Sequence, residues 1–89
     1  MTTVNLIVKG KVQGVFFRAE AKENADKLGV KGWIKNQPDG NVEIMAKGSQ
    51  EAIDAFIAWC RKGSKRAAVT DVIVTPLHLE DFGSFDIIR

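Results

Sequence analysis

Cysteine occurs once, as Cys60, and histidine once, as His78, in a chain of 89 residues. One thiol closes no internal disulfide, so the fold must be held by packing, as suits a reducing compartment. A lone histidine with no cysteine or carboxylate set at ligand spacing gives a metal centre nothing to be built on, and no Ser-His-Asp arrangement can be assembled. No apolar run approaches the roughly 20 residues of a membrane span. The opening Met1-Thr2-Thr3-Val4-Asn5 lacks the basic and then apolar regions of a secretory leader. A cytoplasmic protein with no membrane contact is the expectation. An excess of one charge is also missing: 13 Lys and Arg against 11 Asp and Glu leave a net +2, too near balance for a general binder of nucleic acid. Any anion site must therefore be local. The length suits one domain, residues 1–89, and a monomer.

The patterning that is present reads as seven short elements. Val4 to Lys9 alternate with period two, as a strand does. Gly10-Lys11-Val12-Gln13-Gly14-Val15 has no apolar stripe and two glycines, and reads as a loop. From about Phe17 to Leu28, Phe17, Ala21, Ala25 and Leu28 share one helical face, with a Glu23–Lys27 pair outside and Gly29 as the stop. Gly32 to Asn36 and Asn41 to Ala46 are two extended runs joined by the turn Gln37-Pro38-Asp39-Gly40. Ser49 then caps a second helix with Ile53, Phe56, Ile57 and Cys60 as its stripe and Gly63 as its stop. Val69 to Thr75 reads as a fourth strand, and Phe85 and Ile87, near Arg89, as a short fifth. The order β-α-β-β-α-β-β implies an α+β, ferredoxin-like sandwich. Two helices pack on one face of a four- to five-stranded, mainly antiparallel sheet. That plan hosts many unrelated functions, so the chemistry must be sought in the loops.

The first loop is the place to look. Two glycines just before a helix let successive N–H groups turn into a concave nest, where the helix N-terminus adds positive potential. Arg18 opens that helix, and its planar guanidinium can grip two phosphate oxygens at once. The loop lacks the lysine and hydroxyl of a nucleotide-binding P-loop. On the residues alone, two tight-turn glycines and an exposed helix arginine remain an alternative. Asn36 is equally readable as a turn residue before Pro38-Asp39-Gly40.

Gly10-Lys11-Val12-Gln13-Gly14-Val15-Phe16-Phe17-Arg18 resembles the first signature of the acylphosphatase family. Gly32-Trp33-Ile34-Lys35-Asn36-Gln37-Pro38-Asp39-Gly40-Asn41-Val42-Glu43 resembles the second. The two stand in order, and the resemblance covers nearly the whole chain. It implies that the backbone amides of Gln13, Gly14, Val15, Phe16 and Phe17 cradle a phosphoryl group, that Arg18 neutralises it, and that Asn36 orients a water. It implies a small-molecule acyl phosphate as substrate and neither metal nor cofactor. An acyl phosphate is a mixed anhydride with a good leaving group, so its hydrolysis needs positioning and charge stabilisation more than a protein nucleophile. The sequence departs from the family after the second helix, where Gly63-Ser64 is followed by Lys65 and Arg66 in place of a proline.

Other features read as structural. Cys60 and Arg66 have the Cys-x5-Arg spacing of cysteine phosphatases, but Cys60 lies on the apolar stripe that closes a helix, where a thiol is inert packing. Arg61, Lys62, Lys65 and Arg66 form a solvated helix end. His78 reads as a strand-end residue between Leu77 and Leu79. Trp33, Trp59 and the phenylalanines fill core and rim. A non-catalytic anion-binding module using the same nest and Arg18 is the competing function, and it has little need for Asn36.

Overall fold

The computed structural model describes residues 1–78 and 82–88. Its elements follow in the order β1 (Thr2–Lys11), α1 (Phe17–Leu28), β2 (Lys31–Asn36), β3 (Val42–Gly48), α2 (Gln50–Lys62), β4 (Ala68–Leu77) and β5 (Phe85–Ile88). The five strands form one sheet in the order β4-β1-β3-β2-β5. The first three pairings are antiparallel, and β5 runs parallel to β2. The result is the ferredoxin-like α+β sandwich, with a mixed sheet in which only the outermost pairing is parallel.

Alternation decides which face is covered. Val4, Leu6 and Val8 of β1 lie opposite Ala46, Ile44 and Val42 of β3, and Ile34 of β2 lies opposite Ile44. All seven are buried, so one face of the sheet is a continuous apolar floor. Onto it α1 lays Phe17, Ala21 and Ala25, and α2 lays Ile53, Phe56 and Cys60. Phe56 meets Phe85 edge to face at 5.7 Å, and Trp59 bridges the helices against Phe17 at 5.1 Å. Each fully buried Leu, Ile or Phe adds roughly 1.5–3 kcal/mol, which lets the sandwich dispense with a disulfide. Helix ends behave as the sequence implies. The Ser49 hydroxyl accepts from the Ala52 N–H, and the N–H groups of Gly29 and Gly63 return to the preceding turn. The Glu23–Lys27 pair is present but exposed, and contributes little.

The strands run longer than their alternation suggests. Gly10 and Lys11, read from the sequence as loop, belong to β1. The register shifts between Lys9 and Gly10, and pairing resumes with Gly10 opposite Val69 and Lys11 opposite Ala68. This is a bulge: Thr70 of β4 is the extra residue, left between Asp71 and Val69, and it shifts the register without ending the ladder. β4 likewise extends from Ala68 to Leu77, beyond Val69–Thr75, because Pro76 is tolerable on an edge strand. Leu79 and Arg89, named above at strand ends, lie outside the described residues. No helix among the described residues is long and apolar enough to cross a membrane.

Register also positions the loops. Val42 of β3 pairs with Val8 on one side and Asn36 on the other, so Asn36 lies two strand spacings, about 10 Å, from Val8. The end of β2 and the segment leaving β1 therefore meet at one end of the sheet.

Gly10 carries φ 116°, and a Cβ there would collide with the Ala68 carbonyl and crowd the Thr70 nitrogen at 2.9 Å. Gly10→Ala is expected to lower unfolding free energy by on the order of 3 kcal/mol, read as a reduced urea midpoint. An unchanged midpoint would show that the bulge is not a fixed part of the fold.

Candidate functional site

The segment between β1 and α1 is pinned from below and open above. Val12 and Val15 are buried in the core, whereas Gly14 and Phe16 are exposed and Gln13 half-buried. Gly14 has φ 71° and Phe16 φ 62°, both left-handed. Left-handed residues alternating along a turn curl successive N–H groups to one side, which is the geometry of an anion nest. Phe16 is the only residue other than glycine with positive φ among those described, a conformation costing about 1–2 kcal/mol for an L-residue. It persists because its neighbours are tied. The Ser64 hydroxyl donates to the Val15 carbonyl at 2.7 Å, and the Glu20 N–H donates to the Phe16 carbonyl at 3.1 Å. The Gln13 side-chain amide donates to the carbonyls of Gln37 and Asn41 at 2.7 and 2.8 Å.

These ties engage carbonyls and leave the N–H groups alone. Among the described residues, no backbone acceptor pairs with the N–H of Gln13, Gly14, Val15, Phe16 or Phe17. α1 has Phe16 at its N-cap with no side-chain capping bond, in contrast to the capped α2. An uncapped N-terminus with orphan donors and a positive dipole end attracts an anion.

Arg18 and Asn36 complete the site. Both line one open cavity of about 300 Å³, together with Gly14, Phe16 and Phe17. Arg18 is half-buried, and no carboxylate among the described residues forms an ion pair with it. The Oδ1 of Asn36 is buried and has no hydrogen-bond partner among the described residues. A buried acceptor left unpaired costs about 1–3 kcal/mol. An amide oxygen can accept a hydrogen bond, while the guanidinium can bind an anion.

The sequence-predicted residues thus divide. Gly14, Phe16, Phe17, Arg18 and Asn36 line the cavity. Val15 supplies a buried anchor, and the Gln13 side chain ties the loop to the β2–β3 turn. Two roles escape the sequence reading: this Gln13 tie and Ser64, which is buried under the loop. The Gly63-Ser64 pair was the available signal for the second, since it is where the match to the family persists before Lys65 and Arg66 depart. Both departing residues are exposed. Cys60 is fully buried, and desolvation pushes its thiol far above the ordinary range, with the neighbouring Arg61 opposing only in part. Arg66 is exposed, so the Cys-x5-Arg spacing assembles no thiolate site. His78 is exposed just beyond β4, and no group of three or more His, Cys, Asp or Glu gathers among the described residues.

Ser64→Ala removes the hydroxyl that the Val15 carbonyl accepts from. A stability loss of about 1–3 kcal/mol is expected, with weaker binding of inorganic phosphate. Unaltered stability and binding would mean the loop is held without Ser64.

Comparison with known proteins identifies the family. The acylphosphatase family model matches residues 4–87. An acylphosphatase of Methylococcus capsulatus is 43% identical over 90 residues, covering 100% of this chain and 98% of the relative. One of Haloquadratum walsbyi is 42% identical, with 99% and 95% covered. The crystal structure of acylphosphatase from Bacillus subtilis superposes with a TM-score of 0.97 at 41% identity, each chain covered in full. With its two signatures, its fold and its full-length relatives in agreement, the chain belongs to the acylphosphatase family.

Proposed function

We propose that residues 1–89 act as one acylphosphatase domain, hydrolysing the carboxyl–phosphate bond of small-molecule acyl phosphates to a carboxylate and inorganic phosphate. The observation that carries this reading is that Asn36, whose Oδ1 is buried without a partner, lines the same cavity as Arg18. A module that only bound anions would have no use for an orphan acceptor next to its cation.

In this reading the phosphoryl group sits on the N–H groups of Gln13, Gly14, Val15, Phe16 and Phe17, with two of its oxygens gripped by the Arg18 guanidinium. Asn36 Oδ1 accepts one hydrogen of a water and so turns a lone pair of that water toward phosphorus. The new P–O bond forms in line as the P–O bond to the acyl group breaks, and its electron pair leaves on the carboxylate. Negative charge spreading over the equatorial oxygens meets Arg18 and the amides, which are already in place and need no reorganisation. An amide takes no proton at neutral pH, so the water's proton passes to a phosphate oxygen of the substrate itself. The reaction calls on no metal or cofactor. The chain is proposed to work as a monomer in the cytoplasm, without nucleic acid or membrane as partner.

Acetyl phosphate hydrolysis in excess chelator tests this reading. The wild type should retain full activity. Arg18→Gln should lose roughly a hundredfold or more in kcat/KM, an effect of about 3 kcal/mol. Asn36→Ala should lose on the order of a hundredfold mainly in kcat, with KM little changed. A folded wild type that binds phosphate without turnover would favour the anion-binding module.

A further inference from the structure

We propose that Glu43 is a positioning residue for the reaction: from the open face of the sheet its carboxylate holds both chain neighbours of Asn36 and so fixes the direction in which the Asn36 amide oxygen is presented. The proposal rests on the hydrolase reading above and adds to it a residue outside the cavity.

Glu43 stands on β3 opposite Lys35 of β2, one position along from the Val42–Asn36 pair. Successive strand side chains point to opposite faces. Asn36 lines the cavity, while Lys35 and Gln37, on either side of it, reach the other face and converge there on a single atom. The Lys35 ammonium lies 3.7 Å from Glu43 Oε1, and the Gln37 side-chain amide donates to that same oxygen at 3.4 Å. The second carboxylate oxygen, Oε2, accepts from the Asn5 side-chain amide at 3.0 Å. Asn5 belongs to β1, which is flanked by β3 and β4, and it lies diagonally across from Glu43, being opposite Met45. The carboxylate therefore links an inner strand of the sheet to the residues before and after Asn36.

Stability alone gives little reason for this cluster. An exposed ion pair contributes little, and the Lys35 side chain is 44% exposed. The β2–β3 turn is already closed without Glu43, by the Gln37 N–H on the Asn41 carbonyl at 2.9 Å and the Gly40 N–H on the Gln37 carbonyl at 3.1 Å. What the cluster adds is a hold on Lys35-Asn36-Gln37 from the face away from the cavity. A carboxylate accepts and never donates, so it also fixes which way the Asn5 and Gln37 amides turn. Asn36 Oδ1 has no hydrogen-bond partner among the described residues, so its direction is set by the backbone that carries it. A small displacement of that backbone alters the approach of the water to phosphorus, while a phosphate held by Arg18 and the loop before α1 stays bound.

The test measures acetyl phosphate kinetics and inorganic phosphate binding for the wild type, Glu43→Ala, Glu43→Gln, Asn36→Ala and the double variant of Glu43→Ala with Asn36→Ala. Glu43→Ala should lower kcat about tenfold with KM and phosphate binding little changed. Glu43→Gln keeps the volume and one acceptor oxygen and should lower kcat about threefold. It takes the place of Glu43→Ala, alone and in the double variant, should the alanine variant not fold. In the Asn36→Ala background the Glu43 substitution should cost less than about twofold, because the group it positions is gone. A full additional loss in that background would overturn the role, as would a wild-type kcat in the folded Glu43 variant or a loss confined to KM. A wild type that binds phosphate and hydrolyses no acetyl phosphate would overturn the hydrolase reading, and this role with it, before any variant is compared.

Discussion

One side-chain amide joins the two halves of the candidate site. Gln13 leaves the loop after β1 and donates both of its hydrogens across to the β2–β3 turn, to the carbonyls of Gln37 and Asn41. Those carbonyls flank the turn that follows Asn36, and the Gln37 N–H in turn donates to Asn41 at 2.9 Å. A loop carrying anion donors and a strand end carrying an unpaired amide oxygen are thereby held as one unit. Proximity effects in catalysis depend on this kind of fixed relation, because a misplacement of about 1 Å costs orders of magnitude in rate.

The arrangement spends stability in particular places and recovers it in the core. α1 is left uncapped, Phe16 is held left-handed, and Asn36 Oδ1 is buried without a partner. Each is unfavourable by on the order of 1–2 kcal/mol, and all three fall around one cavity. The floor of Val, Leu and Ile side chains under two helices is regular by comparison, with α2 capped by Ser49 and its apolar stripe fully used. Local rules are obeyed where the fold is built and broken where an anion would sit, the pattern expected of a functional site.

Much of this was legible in the sequence. Both helices, the Ser49 cap of α2 and the two C-terminal stops followed from apolar spacing, Ser49 and the stopping glycines, because those signals are local. Two glycines before a helix suggested a nest beside Arg18 but left tight turns and an exposed arginine as an alternative until the family resemblance was added. Asn36 was not readable by itself, since nothing in Asn36-Gln37-Pro38 separates a turn residue from a water-binding one; only the family resemblance points to the second. The bulge at Gly10 was hidden because a glycine that ends a strand and one that kinks it look alike until the partner strand is known. Ser64 and the Gln13 tie were illegible for a related reason: each acts on a residue tens of positions away, across a contact that only the packed structure defines.

The central claim is that the N–H groups from Gln13 to Phe17, together with Arg18 and Asn36, form one phosphate site. Titrating isotope-labelled protein with inorganic phosphate and following amide chemical shifts addresses it residue by residue. Saturable shifts confined to Gln13–Arg18 and the Asn36 side-chain amide are the result expected. Shifts concentrated on Arg61, Lys62, Lys65 and Arg66, with the loop before α1 unmoved, would contradict it.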